Sequence, residues 1–357
     1  MLKENKRNPY WQAIRGICLL AVIMMHCPSG ATYDARSEIF ILYLFFRQFI
    51  NFPVAIFIFL SGFFSVKENI TPRKYYINRC EKLIIPFVIW SIIYDIIAVC
   101  EALSQGEHIS WIRMAVYFIW GQAAPPFYYI VALLQLTFLT PCLINAAKKK
   151  SKAIALLLFS ITPAYLLILY AYKINLGSKG IPFSTLYAAV FPAWFGFYWL
   201  GIYIRCNEKQ LSGLISKLGK VSYLILALFL SAIESMLWIQ ANLGVKFALN
   251  QVRYTCFLCS TILIFLFIKN QPLSIRERGG FRCFLRYIGD ISYGIFYVHI
   301  LFIRLMEKML SGTQIVNDFW VYWILTFIGT LALSILFVAT VKFIFRKKQK
   351  ILLFLGM

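Results

Sequence analysis

Ten runs of apolar residues, each long enough to cross a bilayer and each ended by polar residues, constrain this chain more than any other feature. They fall at roughly 12–30, 40–64, 83–104, 127–146, 153–172, 184–204, 221–240, 252–269, 290–309 and 320–343. A helix rises about 1.5 Å per residue, so about 20 apolar residues cross the hydrocarbon core, where every backbone polar group must be bonded within the protein. The pattern predicts an all-α, polytopic membrane helix bundle of about ten transmembrane helices. With 61% of the 357 residues hydrophobic and 14% charged, little remains for an appended soluble domain. Residues 1–357 therefore read as a single membrane-embedded domain. This composition excludes a disordered chain, a small secreted scaffold and an ordinary cytosolic enzyme.

The charge balance supplies orientation. There are 36 Lys and Arg against 14 Asp and Glu, a net charge of +22. In a soluble protein that excess would point to nucleic acid; in a membrane protein, basic residues mark short cytoplasmic loops. With the N-terminus placed inside, 27 of the 36 fall in segments 1–15, 66–82, 145–152, 205–220, 269–286 and 342–350. The other nine (Arg36, Arg47, Arg113, Lys173, Lys179, Lys246, Arg253, Arg304, Lys308) lie in outer loops or within spans. Alternation at every crossing predicts ten spans with N- and C-termini cytoplasmic. The basic stretch Met1 to Arg7 is followed by no small-residue cleavage site, so it does not read as a cleaved signal peptide. Loop 105–126, with Trp111, Arg113 and Trp120, predicts a short helix lying in the outer interface. The nine cysteines do not cluster into a disulfide framework, and Cys256-x-x-Cys259 sits in an apolar run with neither a second pair nor a nearby His. That pair reads as packing, and no metal site is expected.

Ionisable residues within spans are costly and therefore mark function or specific pairing. They are Arg15, His26, Arg47, Asp95, Glu101, Glu234, Arg253, Asp290, His299 and Arg304. Glu101, Asp290 and Arg304 lie near span ends, where snorkelling accounts for them. Arg15 and His26 are eleven residues apart; at about 100° per residue this is three turns plus about 20°, so both project from one face of the first helix, about 16 Å apart along it. A cation at the mouth can hold an anionic carrier while an imidazole deeper on the stripe reaches its reacting end. For Arg47 the sequence leaves several roles open: pairing with Asp95 or Glu234, lining an acceptor cleft, or stabilising an oxyanion. His299 returns to nearly the same helical face as Ser292, as a secondary site residue or as core packing.

Four segments in order carry a family resemblance. Arg15-Gly-Ile-Cys-Leu-Leu-Ala-Val-Ile-Met-Met-His26 resembles the Arg, ten residues, His signature of acyltransferase family 3, the integral-membrane O-acyltransferases of bacterial surface glycans. Phe57-Ile58-Phe59-Leu60-Ser61-Gly62-Phe63 is similar to the family's FF-x-LSGF stretch, and Arg79-Cys80-Glu81-Lys82-Leu83-Ile84-Ile85-Pro86 to its basic loop before the third helix. Ile291-Ser292-Tyr293-Gly294-Ile295-Phe296-Tyr297-Val298-His299 is similar to its late SYGIYL-x-H segment. The resemblance runs from about residue 10 to 343. One departure is Pro125-Pro126-Phe127-Tyr128-Tyr129-Ile130, which stands where members often carry His and Trp. The hydrolase-like domain of some members has no counterpart up to Met357, so transfer is expected to be completed in the membrane domain or with a separate partner.

The resemblance implies acyl-CoA, most often acetyl-CoA, as donor and a hydroxyl of a glycan or lipid-linked sugar as acceptor, in the cell membrane. His26 is then the catalytic base or a transient acyl carrier, and Arg15 positions the donor or the His. Arg79 and Lys82 bind the CoA phosphates, for which the guanidinium geometry of Arg79 is suited. Arg73 and Lys74 read as orientation signals. Ser292, Tyr293, His299 and Arg47 complete the candidate substrate contacts, and Gly62 reads as helix packing that shapes the cavity. A transporter or flippase of a lipid-linked sugar or small anion is the alternative, since it too needs a polar midplane site; its mark would be inverted repeats and discontinuous helices. A third reading is a non-catalytic partner of a polysaccharide synthase.

Overall fold

Several helix starts have a local cause. Asn8 caps the first helix, its side-chain oxygen accepting the Tyr10 amide at 2.9 Å, and Pro9 fills the first position, where a missing N–H costs nothing. This helix, α1, spans Pro9–His26 in the computed structural model, which describes residues 8–28, 37–66, 72–176, 186–271 and 279–357. The basic stretch Met1 to Arg7, together with Arg36, Lys67, Lys179, Arg276 and Arg278, lies outside the described residues. Ser37 caps α2 (Glu38–Ile50), and α3 (Pro53–Phe63) begins at a proline that donates no bond to the preceding turn. The single expected span 40–64 is thus two helices broken at Asn51 and Phe52, together long and apolar enough to cross a membrane.

Next come α4 (Pro72–Ser104), the short α5 (Trp111–Ile119) with none of its residues buried, and α6 (Tyr128–Lys148). Helix α5 is the one expected in the long loop. Ser151 caps α7 (Lys152–Phe159), and α8 (Ile161–Leu176) follows directly. The sequence predicts a span over 184–204, but α9 (Phe195–Leu218) becomes α-helical only from Phe195, after two short 3-10 turns. The irregular backbone ahead of it is served by neighbours. Gln135 of α6 donates to the Ala189 carbonyl at 2.8 Å and accepts from the Phe191 amide at 3.0 Å. Thr162 of α8 donates to Pro192 and accepts from the Gly196 amide. Non-helical backbone persists at membrane depth only where protein satisfies it in this way.

The chain continues through α10 (Val221–Gln240), the single turn α11 (Val245–Ala248), α12 (Tyr254–Lys269), α13 (Gly280–Asp290), α14 (Ser292–Leu310), α15 (Phe319–Ile344) and α16 (Gln349–Leu355). No strand occurs among the described residues. Six helices or helix pairs are long and apolar enough to cross a membrane, and seven if α13 and α14, bent by 82°, count as one span. The remaining expected spans do fall on helices, but shorter or more polar ones. Helix α1 has 18 residues interrupted by Arg15, and α12 has 16. Helix α9 turns polar at Arg205. Their neighbours cover them: residues Phe195 to Ile204 of α9 are nearly all buried, so the protein rather than lipid is their main solvent.

Two glycine contacts lock helices together. A Cβ on Gly16 would overlap the Leu285 carbonyl of α13, and one on Gly289 would overlap the Gln12 carbonyl of α1. Likewise a Cβ on Gly62 of α3 would meet the Tyr198 carbonyl of α9, and one on Gly201 the Phe59 carbonyl. Small residues that bring backbones together are how helices gain packing energy where lipid removes the hydrophobic drive. Gly62 is the packing residue the sequence suggests. At the far end, α16 folds back so that Trp90 of α4 donates to the Leu355 carbonyl at 3.0 Å.

Candidate active site

Helix α1 is unbroken from Pro9 to His26, so Arg15 and His26 share a stripe as their spacing requires. The His26 imidazole lies with its ring centre 5.4 Å from that of His299 on α14. His299 is fully buried, and its Nδ1 sits 3.1 Å from the Ile295 carbonyl. A carbonyl only accepts, so Nδ1 carries the proton and Nε2 is left with a lone pair and no partner. The two histidines far apart in sequence thus form one site.

That site opens on a narrow cavity of about 60 Å³ whose polar lining is His26, Tyr128, Tyr129, Gln251, Ser292 and Tyr293. Its other walls are aliphatic or aromatic, among them Leu19, Val54 and Phe296. In lining, mostly apolar with a few convergent polar groups, the cavity resembles a small-molecule site, although its volume admits only a small group. Ser292 and Tyr293 are held rather than free: Ser292 Oγ donates to the Gly289 carbonyl at 2.9 Å, and the Tyr293 hydroxyl lies 3.0 Å from the Lys82 carbonyl and 2.9 Å from the Tyr297 hydroxyl.

The basic candidates divide into two groups. Arg15 bonds Gln12 at 3.3 Å and lies over the Phe64 ring. Arg15 and Arg79 both act electrostatically on the Tyr129 hydroxyl, which bonds Ser61, and Arg79 also acts on Tyr293. The Arg79 Nε is buried without a partner. Lys82 meets the site through its backbone, since its side chain is exposed. Arg47 stands apart from these. Its charge reaches His26 and Tyr128, and its Nη2 donates to the Leu249 carbonyl at 3.1 Å.

Of the partners left open for Arg47, Glu234 is already taken. Arg253, fully buried, pairs with Glu234 at 3.5 Å and also bonds Ser235, Gln48, the Asn250 carbonyl and the Cys256 sulfur. Glu234 in turn holds Tyr170 and Thr255. This network ties α2, α8, α10 and α12 and accounts for two of the costly intramembrane charges structurally. A second pair, Arg304 with Glu101 at 3.5 Å, lies at an exposed position, in line with the snorkelling expected there. Cys256 and Cys259 are both buried and in no disulfide; Cys259 packs as expected, whereas the Cys256 sulfur belongs to the Arg253 network. Among the described residues no three His, Cys, Asp or Glu side chains gather in a metal-binding group.

Sequence reasoning missed Gln251 as a site residue and quoted Tyr128 and Tyr129 only as a departure from a motif. Gln251 Nε2 donates to the Tyr128 hydroxyl at 2.9 Å, leaving its Oε1 buried and without a partner. A neutral amide at the start of an apolar run gives no charge signal, although its neighbour Arg253 did.

Residues 8–339 match the family 3 model for an acyltransferase domain. The chain belongs to acyltransferase family 3. No curated protein and no solved structure matches it. Family membership makes it a multi-pass membrane acyltransferase, and the match spans both the α1 stripe carrying Arg15 and His26 and the α14 segment carrying Ser292, Tyr293 and His299.

Proposed function

We propose that the protein is an O-acyltransferase that moves an acyl group, acetyl above all, from cytoplasmic acyl-CoA to a hydroxyl of a cell-surface glycan or its lipid-linked precursor. The observation that carries this reading is His26 on the wall of a cavity shared with Ser292 and Tyr293, beside His299, with Arg15 and Arg79 gathered around Tyr129 on the same cavity. In the proposed topology the ten helical segments all cross, both termini are cytoplasmic, and the Arg15 end of α1 faces the cytoplasm where CoA resides. Arg15, Arg79 and Lys82 meet the donor phosphates, and the thioester extends toward His26.

In the direct route, His26 takes the proton of the acceptor hydroxyl as its oxygen attacks the thioester carbonyl carbon. The new C–O bond forms, the C–S bond breaks, and the CoA sulfur leaves as a thiolate that recovers the proton from the imidazolium. The tetrahedral oxyanion needs a donor. Tyr128 suits that role, because its oxygen accepts from Gln251 and its own proton remains to give. His299, with an unpartnered Nε2 next to His26, positions the imidazole.

The bend between α13 and α14 is a discontinuity of the kind transporters use, so the deciding experiment separates the two activities. Purified protein is incubated with labelled acetyl-CoA and an envelope glycan extract. Label in the glycan is expected with the wild type and absent with His26→Ala, whose folding and insertion are intact. Wild-type acylation by His26→Ala removes His26 from the mechanism, and glycan movement without label transfer selects the transporter.

A further inference from the structure

Arg47 is a buried cation without a counter-ion. It is 9% exposed, its Nη2 is used by the Leu249 carbonyl, and its Nε and Nη1 are buried with no partner. No carboxylate among the described residues pairs with it. The charged and titratable groups acting on it are Tyr43, Cys256, Tyr128 and a second cation, Arg253. Arg253 is neutralised by Glu234, so that acid cannot serve both. An unpaired guanidinium away from water is among the most expensive groups a membrane protein can hold. It persists where a ligand brings the missing charge.

The position of Arg47 says which ligand. Arg15 and Arg79 both act on Tyr129, and Arg79 also on Tyr293, where the donor phosphates are placed above, whereas Arg47 acts on His26 and Tyr128. The segment that accepts from Arg47, at Leu249, also carries Gln251 into the cavity with its Oε1 unpartnered. Beside the His26 cavity, then, stands a fixed cation with unmet N–H donors, and on the cavity wall Gln251 offers an unmet acceptor suited to a hydroxyl. We infer that Arg47 and Gln251 form the acceptor subsite, and that the acceptor is anionic, with a carboxylate or phosphate near the hydroxyl that is acylated. Arg47 holds the anion, and Gln251 Oε1 accepts from a sugar hydroxyl. This rests on the acyltransferase reading above but concerns acceptor binding, which can be measured without turnover.

The test uses the full-length protein in lipid nanodiscs and three probes: a glucuronate-containing tetrasaccharide, the same tetrasaccharide with its carboxyl groups reduced, and a neutral sugar on polyprenyl diphosphate. Binding is read by thermophoresis, and transfer by label from acetyl-CoA with CoA thiol release. The wild type is expected to bind one of the anionic probes about tenfold to a hundredfold more tightly than the reduced one, the worth of a hydrogen-bonded charge. Arg47→Gln is expected to erase that preference while leaving the KM for acetyl-CoA unchanged, and Arg47→Lys to restore part of it, which shows that the protein is folded. Preference for the tetrasaccharide assigns the anion to a carboxylate, and preference for the diphosphate probe to the lipid carrier. Equal binding of all three probes, or a rise in the KM for acetyl-CoA in place of the acceptor effect, overturns the inference. Arg47-dependent anion binding without any transfer leaves the subsite standing and instead defeats the acyltransferase reading.

Discussion

The ion pair between Arg253 and Glu234 offers the sharpest quantitative test of the bundle. Two unit charges 3.5 Å apart attract by about 5 kcal/mol at an effective dielectric constant of about 20. Arg253 has no exposure and Glu234 little, so solvent screening removes only a small part of this. Desolvation offsets much of the attraction in the intact pair, which makes its net worth small. Losing one partner is different, because the other charge stays buried. Arg253→Met and Glu234→Gln are each expected to destabilise the protein by about 3–5 kcal/mol. The double variant is expected to lose less than either single one, because it strands no charge. Unfolding of the purified protein in mixed micelles, followed by tryptophan fluorescence, gives all three values. Single losses that simply add in the double variant, within about 0.5 kcal/mol, would refute the idea that the pair is a coupled unit.

Other expectations follow from particular contacts. Gly289→Leu, which would push into the Gln12 backbone, is expected to abolish monodisperse protein on size-exclusion chromatography, whereas Gly213→Leu, with open space around it, is tolerated. Trp90→Phe loses one hydrogen bond to Leu355 but keeps an aromatic ring against Tyr297, costing about 1 kcal/mol in the same unfolding assay. With Cys283 as the sole cysteine, an impermeant maleimide should label inverted vesicles and not intact cells, because Cys283 is exposed beside Arg286 on the side proposed as cytoplasmic; the opposite result reverses the topology. Tyr128→Phe is expected to lower kcat about tenfold to a thousandfold with little change in KM, as removal of an oxyanion donor does.

Much of the site was legible because charge in an apolar run is conspicuous. Arg15 and His26 are ionisable, helically spaced and in an unbroken helix, so their shared face needed only arithmetic. The approach of His299 to His26 was not legible: it depends on how α14 leaves the 82° bend after α13, and no local pattern encodes that angle. Gln251 escaped because an amide carries no charge, and its importance arises from what surrounds it. The division of 40–64 into two helices was visible in Pro53, yet a proline can equally kink a helix or begin one. The partner of Arg47 was undecidable between Asp95 and Glu234, since neither is its neighbour on a helix and only folding ranks their distances. Segment 269–286 read as a basic loop, whereas its described part begins α13, whose glycine at 289 lies against α1.

The paired glycine contacts also bear on motion. Helices whose backbones touch cannot slide past one another by a fraction of a turn, because each residue with a Cβ would have to pass a carbonyl. Gly16 with Gly289, and Gly62 with Gly201, therefore make α1 with α13, and α3 with α9, two stiff staves. Substrates must be exchanged without shearing either stave. The parts of the cavity wall outside them are the Pro126 to Tyr129 corner, the turn bearing Gln251 and the first turns of α14 with Ser292, Tyr293 and Phe296. His26 is held on its stave, so opening is expected in the wall outside it, where the acceptor is proposed to bind.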